Sequence, residues 1–256
     1  LMTQHNLPIL DFAKFREGGT AKAEFIQELG DVTHNIGFFY LKNHSIEQSL
    51  LDQALDLSKQ FFALPIEKKL EIQIVKSPHF RGYTKLKDEI TREKPDSREQ
   101  LDYMPEYKAI PLDQIPKDQP WLRIQGPNQW PESIPDLKPI LLELQRQKVA
   151  LAKVLLTAFA ESLGQSPDAF AHTYSTSPSV LCKAIHYPGT EQAEQGVGAH
   201  KDGGYLTLLL QDEHSGLEVL KGDEWVPATP IKGTFIVNIG ELLEIASQGY
   251  LKATQH

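Results

Sequence analysis

At 256 residues with 40% hydrophobic content, the chain is long enough for one domain with a full core. Its 26 Lys and Arg against 34 Asp and Glu give a formal charge of -8, which argues against a nucleic-acid surface, where cations would cluster. No apolar run reaches membrane-spanning length and no secretory leader stands at the start; the single cysteine, Cys182, excludes an internal disulfide framework and points to a reducing cytoplasm.

In chain order, Leu7-Pro8-Ile9-Leu10-Asp11-Phe12 reads as a short extended segment. Thr20 stands where it would cap a helix to about Asn35, with Phe25, Ile26, Leu29, Val32 and Thr33 at helical spacing. Gly37-Phe38-Phe39-Tyr40-Leu41 is a strand, ended by Asn43-His44. Ser45-Ile46-Glu47-Gln48 has the pattern of a capping box and opens a helix to about Phe62. His44, at the strand–helix junction, reads as a residue that satisfies backbone groups. Pro65 starts a short helix. After Phe80-Arg81-Gly82-Tyr83 comes a charged, loop-like stretch to Glu99.

Pro105, Pro111, Pro116, Pro120, Pro127, Pro131 and Pro135 exclude regular structure and imply a long loop, with Trp121 and Trp130 as its anchors. Residues 136–163 form the longest helix, with Leu141, Leu144, Val149, Ala152, Leu155, Leu156, Phe159 and Leu163 on a broad apolar face expected to back a sheet. Gly164 stops it. From Val180 the pattern turns to short strands, and Cys182 sits inside an apolar run as a packing residue. Short strands at this spacing, after a helical first part, predict a mainly β protein with flanking helices (α+β) and a double-stranded β-helix, or jelly-roll, core.

The chemistry centres on His200-Lys201-Asp202, ahead of Leu206-Thr207-Leu208-Leu209-Leu210. In a strand, positions i and i+2 share a face, so His200 and Asp202 look one way and Lys201 the other. His256 ends the strand-like run 250–256. Two imidazoles and one carboxylate on one face of a metal leave the opposite face open for O2 and a co-substrate. The ligand set suits Fe(II), Zn(II) and Mn(II) alike.

The succession Gly198-Ala199-His200-Lys201-Asp202, Ser215-Gly216-Leu217-Glu218, Asp223-Glu224-Trp225-Val226-Pro227, Asn238-Ile239-Gly240-Glu241 and Gln248-Gly249-Tyr250 resembles the isopenicillin N synthase-like family of 2-oxoglutarate/Fe(II)-dependent oxygenases. The resemblance extends to Gly37-Phe38-Phe39 with Asn43-His44-Ser45, where Ser45 replaces the usual Gly. It implies an N-terminal region at 1–110, a Pro-rich loop and backing helix at 111–178, and a jelly-roll core at 179–256. It implies Fe(II) held by His200, Asp202 and His256. It further implies 2-oxoglutarate and O2 as co-substrates, succinate and CO2 as products, and hydroxylation, desaturation or ring closure of a small-molecule substrate.

Tyr187, in Tyr-Pro, matches the family's contact to a carboxylate, while Ile185 stands where members often carry Asn. Arg81 and Tyr83 match an element bordering the active-site mouth, with a surface turn at Gly82 as the alternative. Lys183 is a candidate substrate contact or a solvated edge lysine. Asn238, Gly240 and Trp225 read as structural, and Thr207 or Leu209 as pocket lining. The family's Arg-x-Ser anchor for 2-oxoglutarate falls past His256, so the core is expected to continue beyond this sequence. A 2-oxoglutarate-independent Fe(II) oxidase and a metal-free jelly-roll binding protein stay open as alternatives. The sequence leaves the oligomeric state and the substrate open.

Overall fold

The computed structural model describes residues 7–86, 90–91, 94–95, 97–174, 180–188 and 198–256. Within the charged stretch read as loop-like, 87–89, 92–93 and 96 lie outside the described residues, as does the Glu-, Gln- and Gly-rich gap at 189–197, while Ile90–Thr91 and Lys94–Pro95 pair as two short strands. The elements are β1 (Ile9–Asp11), α1 (Phe12–Glu17), α2 (Gly19–Asn35), β2 (Phe38–Lys42), α3 (Gln48–Phe62), α4 (Ile66–Leu70), β3 (Gly82–Thr84), β4 (Ile90–Thr91), β5 (Lys94–Pro95), β6 (Glu99–Tyr103), α5 (Leu137–Ser162), β7 (Cys182–His186), β8 (Leu206–Leu209), β9 (Glu218–Lys221), β10 (Glu224–Pro227), β11 (Phe235–Ile239) and α6 (Glu241–Ala246). Among the described residues no helix is long and apolar enough to cross a membrane.

The chain forms two compact units. The first comprises Leu1–Leu51, Gln147–Pro178 and Ala199–His256. Its sheet has the order β1-β2-β11-β8, with β1 parallel to β2 and the other pairs antiparallel. The apolar runs Phe38–Leu41 and Phe235–Val237 are buried on both strand faces, so they read as unbroken hydrophobic stretches rather than alternating ones. On one face Phe38, Tyr40 and Ile236 pack with Leu7, Val219, Val226 and Ala228, so the β9–β10 hairpin closes over the sheet. Each large side chain so buried contributes roughly 1.5–3 kcal/mol. Helices α1 and α2 pack on β2, around the ring cluster of Phe12, Phe15 and Phe25.

Several local expectations are corrected. The extended reading of 7–12 holds as β1 (Ile9–Asp11), but helix α1, which the sequence does not announce, begins at its last residue, Phe12. Its six residues are too few to show a period, and Asp11 caps it by accepting the Ala13 N–H at 3.0 Å. Helix α2 begins at Gly19, so Thr20 lies inside it and is not its cap. Ser45 is no capping box either. It takes φ +71°, after Asn43 at +58°, whereas a capping residue needs extended backbone. That left-handed conformation is the physical reason glycine suits this position. The Glu47 carbonyl opens α3 instead, accepting from Leu50 and Leu51.

His44 fills the bend as a structural residue. Its Nδ1 accepts the Ile46 N–H at 3.1 Å and its Nε2 faces the Gly233 carbonyl at 2.8 Å, which requires the proton on Nε2. Burial pushes its pKa down, in keeping with a neutral ring. Gly164, at φ +72°, ends α5 as expected: the Gln165 N–H reaches the Ala160 carbonyl and the Gly164 N–H that of Glu161. Within this unit α5 lies beside α2, where Lys22 pairs with Glu161 at 3.5 Å.

Residues 250–256, read as strand-like, form a strap without becoming a strand. The Lys252 N–H donates to the Thr33 carbonyl at 2.9 Å, the Thr254 hydroxyl to the Ile36 carbonyl, and the Leu220 N–H to the Gln255 carbonyl at 2.9 Å. The strap crosses Gly37, whose φ is +79° and where an added Cβ would stand 2.1 Å from the Lys252 oxygen.

The second unit comprises Asp52–Arg146 and Ser179–Gly198. Its antiparallel sheet has the order β3-β6-β7. The Pro-rich stretch is irregular apart from short 3-10 turns at Leu112–Gln114 and Pro120–Ile124. Side chains stitch it together: Asn128 pairs with the backbone of Met104, and Trp130 donates to Glu106 at 2.7 Å. Trp130 is therefore an anchor, while Trp121 is 59% exposed and is not.

Gly37→Ala should destabilise the fold by well over about 1 kcal/mol, because the backbone conformation is unfavourable for any L side chain and the strap blocks the methyl. Gly164→Ala has the same conformational cost with open space around it, since nothing lies within 4 Å. It should lose only about 1 kcal/mol. Urea unfolding midpoints of the two variants check the difference.

Candidate metal centre

The first unit brings together His200, Asp202 and His256, whose ligand atoms all lie within 4.8 Å of one another. His200 and Asp202 are in extended chain ahead of β8, not in a strand as expected. What fixes them is a reciprocal backbone pair: the His200 N–H donates to the His256 carbonyl at 3.1 Å, and the His256 N–H to that of His200 at 3.0 Å. The turn after Asp202 is locked onto the start of α6. The Glu241 N–H donates to the Asp202 carbonyl at 2.8 Å and the Leu242 N–H to that of Gly204 at 3.1 Å. A Cβ at Gly240 would stand 1.9 Å from the Gly204 oxygen, so Asn238-Ile239-Gly240 admits no side chain at its third position.

The two oxygens of Asp202 have different duties. Oδ2 accepts from Thr207 Oγ1 at 2.8 Å and from Asn238 Nδ2 at 2.7 Å. Oδ1 faces both histidines, 3.6 Å from His200 Nε2 and 3.5 Å from His256 Nε2. The imidazole centroids are 4.3 Å apart with planes at 56°, so the two rings converge without stacking. Phe38 meets the His256 ring edge-on at 5.0 Å, and His256 Nδ1 faces the Thr254 carbonyl at 3.3 Å, which leaves Nε2 as the inward atom.

Burial pushes the Asp202 carboxyl up, but His200, Asn238, the charge of His256 and Thr207 outweigh it and hold the group well below the ordinary carboxylate range. Burial pushes His256 down, partly opposed by Asp202. One ionised carboxylate oxygen and two imidazole Nε2 atoms, one with its proton favoured on the far nitrogen, form a donor set that fits a divalent transition metal. The sequence alone casts Asn238 as structural, yet its amide lies against the candidate ligand. The available signal is a lone amide in the apolar strand Phe-Ile-Val-Asn-Ile.

The other candidates belong to the second unit. Arg81 is 1% exposed, and its guanidinium is taken up by Asn128 Oδ1 at 3.1 Å, the His79 carbonyl at 2.9 Å and the Ile124 carbonyl. It is neither on a surface turn nor presented to an incoming molecule. Tyr83 is fully buried, with its hydroxyl donating to Glu99. Glu99 also accepts from Lys69 at 2.9 Å and pairs with His186 Nδ1 at 2.8 Å, so both of its oxygens are used. Lys183 Nζ lies 3.9 Å from Asp102, and Tyr187 is 48% exposed.

Residues 7–133 match the family model for the N-terminal region of non-haem dioxygenases in morphine synthesis, and residues 176–256 that of the 2OG-Fe(II) oxygenase superfamily. Homoarginine-6-hydroxylase 2-ODD-C23.1 of Arabidopsis thaliana is 34% identical over 242 residues, covering 91% of this chain and 71% of that protein. The 2-oxoglutarate-dependent dioxygenase frbJ of Dothideomycetidae sp. (strain 11243) is 34% identical over 262 residues, covering 100% of this chain and 70% of that protein. Among solved structures, a full-length Neurospora crassa protein in complex with alpha-KG and 5-formyluracil matches with a TM-score of 0.81 at 29% identity, covering 100% of this chain and 78% of that one. The chain belongs to the 2-oxoglutarate/Fe(II)-dependent oxygenases. It is an oxidoreductase of jelly-roll fold that works with Fe(II), 2-oxoglutarate and O2.

The Glu99 cluster gives a prediction about pH. Burial favours the protonated acid, but Tyr83, Lys69 and His186 outweigh it and lower the pKa. A depressed folded pKa means stabilisation that is present above the unfolded value and lost as pH falls through the folded one. Glu99→Gln should therefore be less stable than the parent at pH 7, and the gap should narrow once pH drops below about 4.5, the ordinary value for this carboxyl. Urea melts across pH 3 to 7 would refute this if the gap stayed constant.

Proposed function

We propose that His200, Asp202 and His256 are the iron ligands of an isopenicillin N synthase-like oxygenase that oxidises a small polar molecule, with hydroxylation of a C–H bond as the reaction. The observation that carries the ligand reading is the split of the Asp202 carboxylate: one oxygen is held by Thr207 and Asn238, while the other faces both histidine Nε2 atoms. Three protein donors gathered on one side would leave the other side of a bound ion to a chelating keto acid and O2.

When bound, iron with 2-oxoglutarate supplies the oxidising power: the keto acid and O2 go to succinate and CO2, and one oxygen atom enters the substrate C–H bond. The residues of the chain bind, orient and exclude water. Asp202 supplies the negative charge that favours an oxidised metal, and Phe38 sets the tilt of the His256 ring. Tyr187 and Lys183 are the side chains we assign to anionic groups of the co-substrate or substrate. Arg81 and Tyr83 are left out, because their polar atoms are already committed inside the second unit. The substrate class rests on two relatives whose names give a small, polar, nitrogen-bearing molecule, homoarginine and 5-formyluracil. A buried thiol as the sole cysteine, Cys182, supports a cytoplasmic site of action.

His200→Ala, Asp202→Ala and His256→Ala should each abolish turnover with the fold retained by circular dichroism, and near-parental activity in any one would sink the ligand reading. Anaerobic titration with Fe(II) and then 2-oxoglutarate tests the centre directly. A weak visible charge-transfer band that needs both additions is the expected result. Fe(II) binding with no band would transfer the chain to the oxidases of this fold that use no 2-oxoglutarate.

A further inference from the structure

We propose that Asn238 and Thr207 are positioning residues that select which oxygen of Asp202 meets the metal and hold the carboxylate to single-oxygen ligation. The inference rests on the ligand reading above and adds to it two residues that act on the metal only through Asp202. A free aspartate offers two equivalent oxygens and turns easily about its terminal torsion. Here the equivalence is broken. Asn238 Nδ2 and Thr207 Oγ1 both donate to Oδ2, at 2.7 and 2.8 Å, and the histidines stand on the side of Oδ1.

The two donors are not an accident of loop packing. Asn238 and Thr207 are direct partners across the antiparallel β11–β8 pair, and in the same register Asn238 opposes Phe38 of β2. Asn238 is 3% exposed. An unpaired amide buried there is strongly unfavourable, so its hydrogen bond is obligatory and its orientation is fixed: the amide oxygen cannot face a carboxylate.

The consequence lies in coordination number. A six-coordinate ion with two imidazoles and one carboxylate oxygen keeps three positions, two for the keto acid and one for O2. A carboxylate bound through both oxygens would occupy one of the three. Two hydrogen bonds on Oδ2 hold that oxygen on the far side. The pair therefore keeps the open face open, as well as raising metal affinity by orienting a ligand.

The test uses Thr207→Val and Asn238→Leu, both close to isosteric, singly and together, with Thr207→Ser as the variant that keeps the hydroxyl. Each protein is titrated anaerobically with Fe(II), its visible spectrum is recorded with Co(II) in place of iron, and the unfolding midpoint is measured without metal. We expect Fe(II) affinity to fall roughly 10- to 100-fold in Thr207→Val, further in the double variant, with a changed Co(II) ligand-field spectrum. Thr207→Ser should restore both. Unchanged affinity and an unchanged Co(II) spectrum in Thr207→Val, whatever happens to the unfolding midpoint, would overturn the proposal and leave the pair merely structural. If Asn238→Leu does not fold, the Thr207 series decides alone. His200→Ala separates the two levels. Loss of Fe(II) binding there with no effect in Thr207→Val defeats this inference only, and retained binding in His200→Ala defeats the ligand reading on which it rests.

Discussion

A carboxylate in a half-enclosed site stays ionised only if its surroundings outweigh the loss of water, and the candidate centre depends on how this is done for Asp202. The helpers come from three places: the extended chain at His200, the paired strands β8 and β11 through Thr207 and Asn238, and the strap at His256. Remove the strand pairing and the acid loses two donors at once. The pairing is in turn strictly set. A slip of one residue would turn Asn238 to the opposite sheet face and send an apolar neighbour toward the carboxylate. Sheet register and acid ionisation are thus one constraint seen at two scales.

Distant partners likewise hold His256 in place. Its strap makes no strand of its own and pairs with segments more than 200 positions earlier, through the Thr33 and Ile36 carbonyls at the end of α2. Those carbonyls are the ones a helix leaves unpaired at its C-terminus, so the strap satisfies them while being positioned by them. Gly37 gives the strap room to pass. The N-terminal segment thereby helps to fix a side chain of the candidate centre.

Much of this is legible in the sequence, for identifiable reasons. The continuous apolar runs at 38–41 and 235–237 announce fully buried strands, and the break at Gly164 places the end of α5. The three side chains that gather at the candidate centre are legible because metal chemistry calls for particular side chains. What fails is local geometry with a non-local cause. His200 and Asp202 look like a strand by their period of two, yet Gly203-Gly204 turns away to meet Gly240, a contact no local window contains. Ser45 followed by Gln48 satisfies a capping pattern, yet its backbone is left-handed in a bend where the neighbouring His44 meets Gly233, far along the chain. Trp121 looks like an anchor because tryptophan usually is one, and it is exposed. Asn238 carries a readable signal, a buried amide among apolar neighbours, whose partner only the fold could supply.

Two acids, one buried and one half-buried, separate scaffold from candidate site. Glu99 and Asp202 are both carboxylates with depressed pKa and histidine neighbours, so charge alone does not distinguish them. The difference is in what remains uncommitted. Glu99 places one oxygen on Lys69 and Tyr83 and the other on His186, and the ammonium of Lys69 neutralises its charge. A cation arriving there would have to displace one already in place and break a buried ion pair. Asp202 commits one oxygen to two uncharged donors, a hydroxyl and an amide, which orient it without cancelling its charge. Its other oxygen faces two imidazole nitrogens that can bind a metal only when unprotonated, and burial favours that form in His256. One arrangement is complete without a ligand. The other gathers one carboxylate oxygen and two imidazole nitrogens at one point, a donor set that fits a divalent cation.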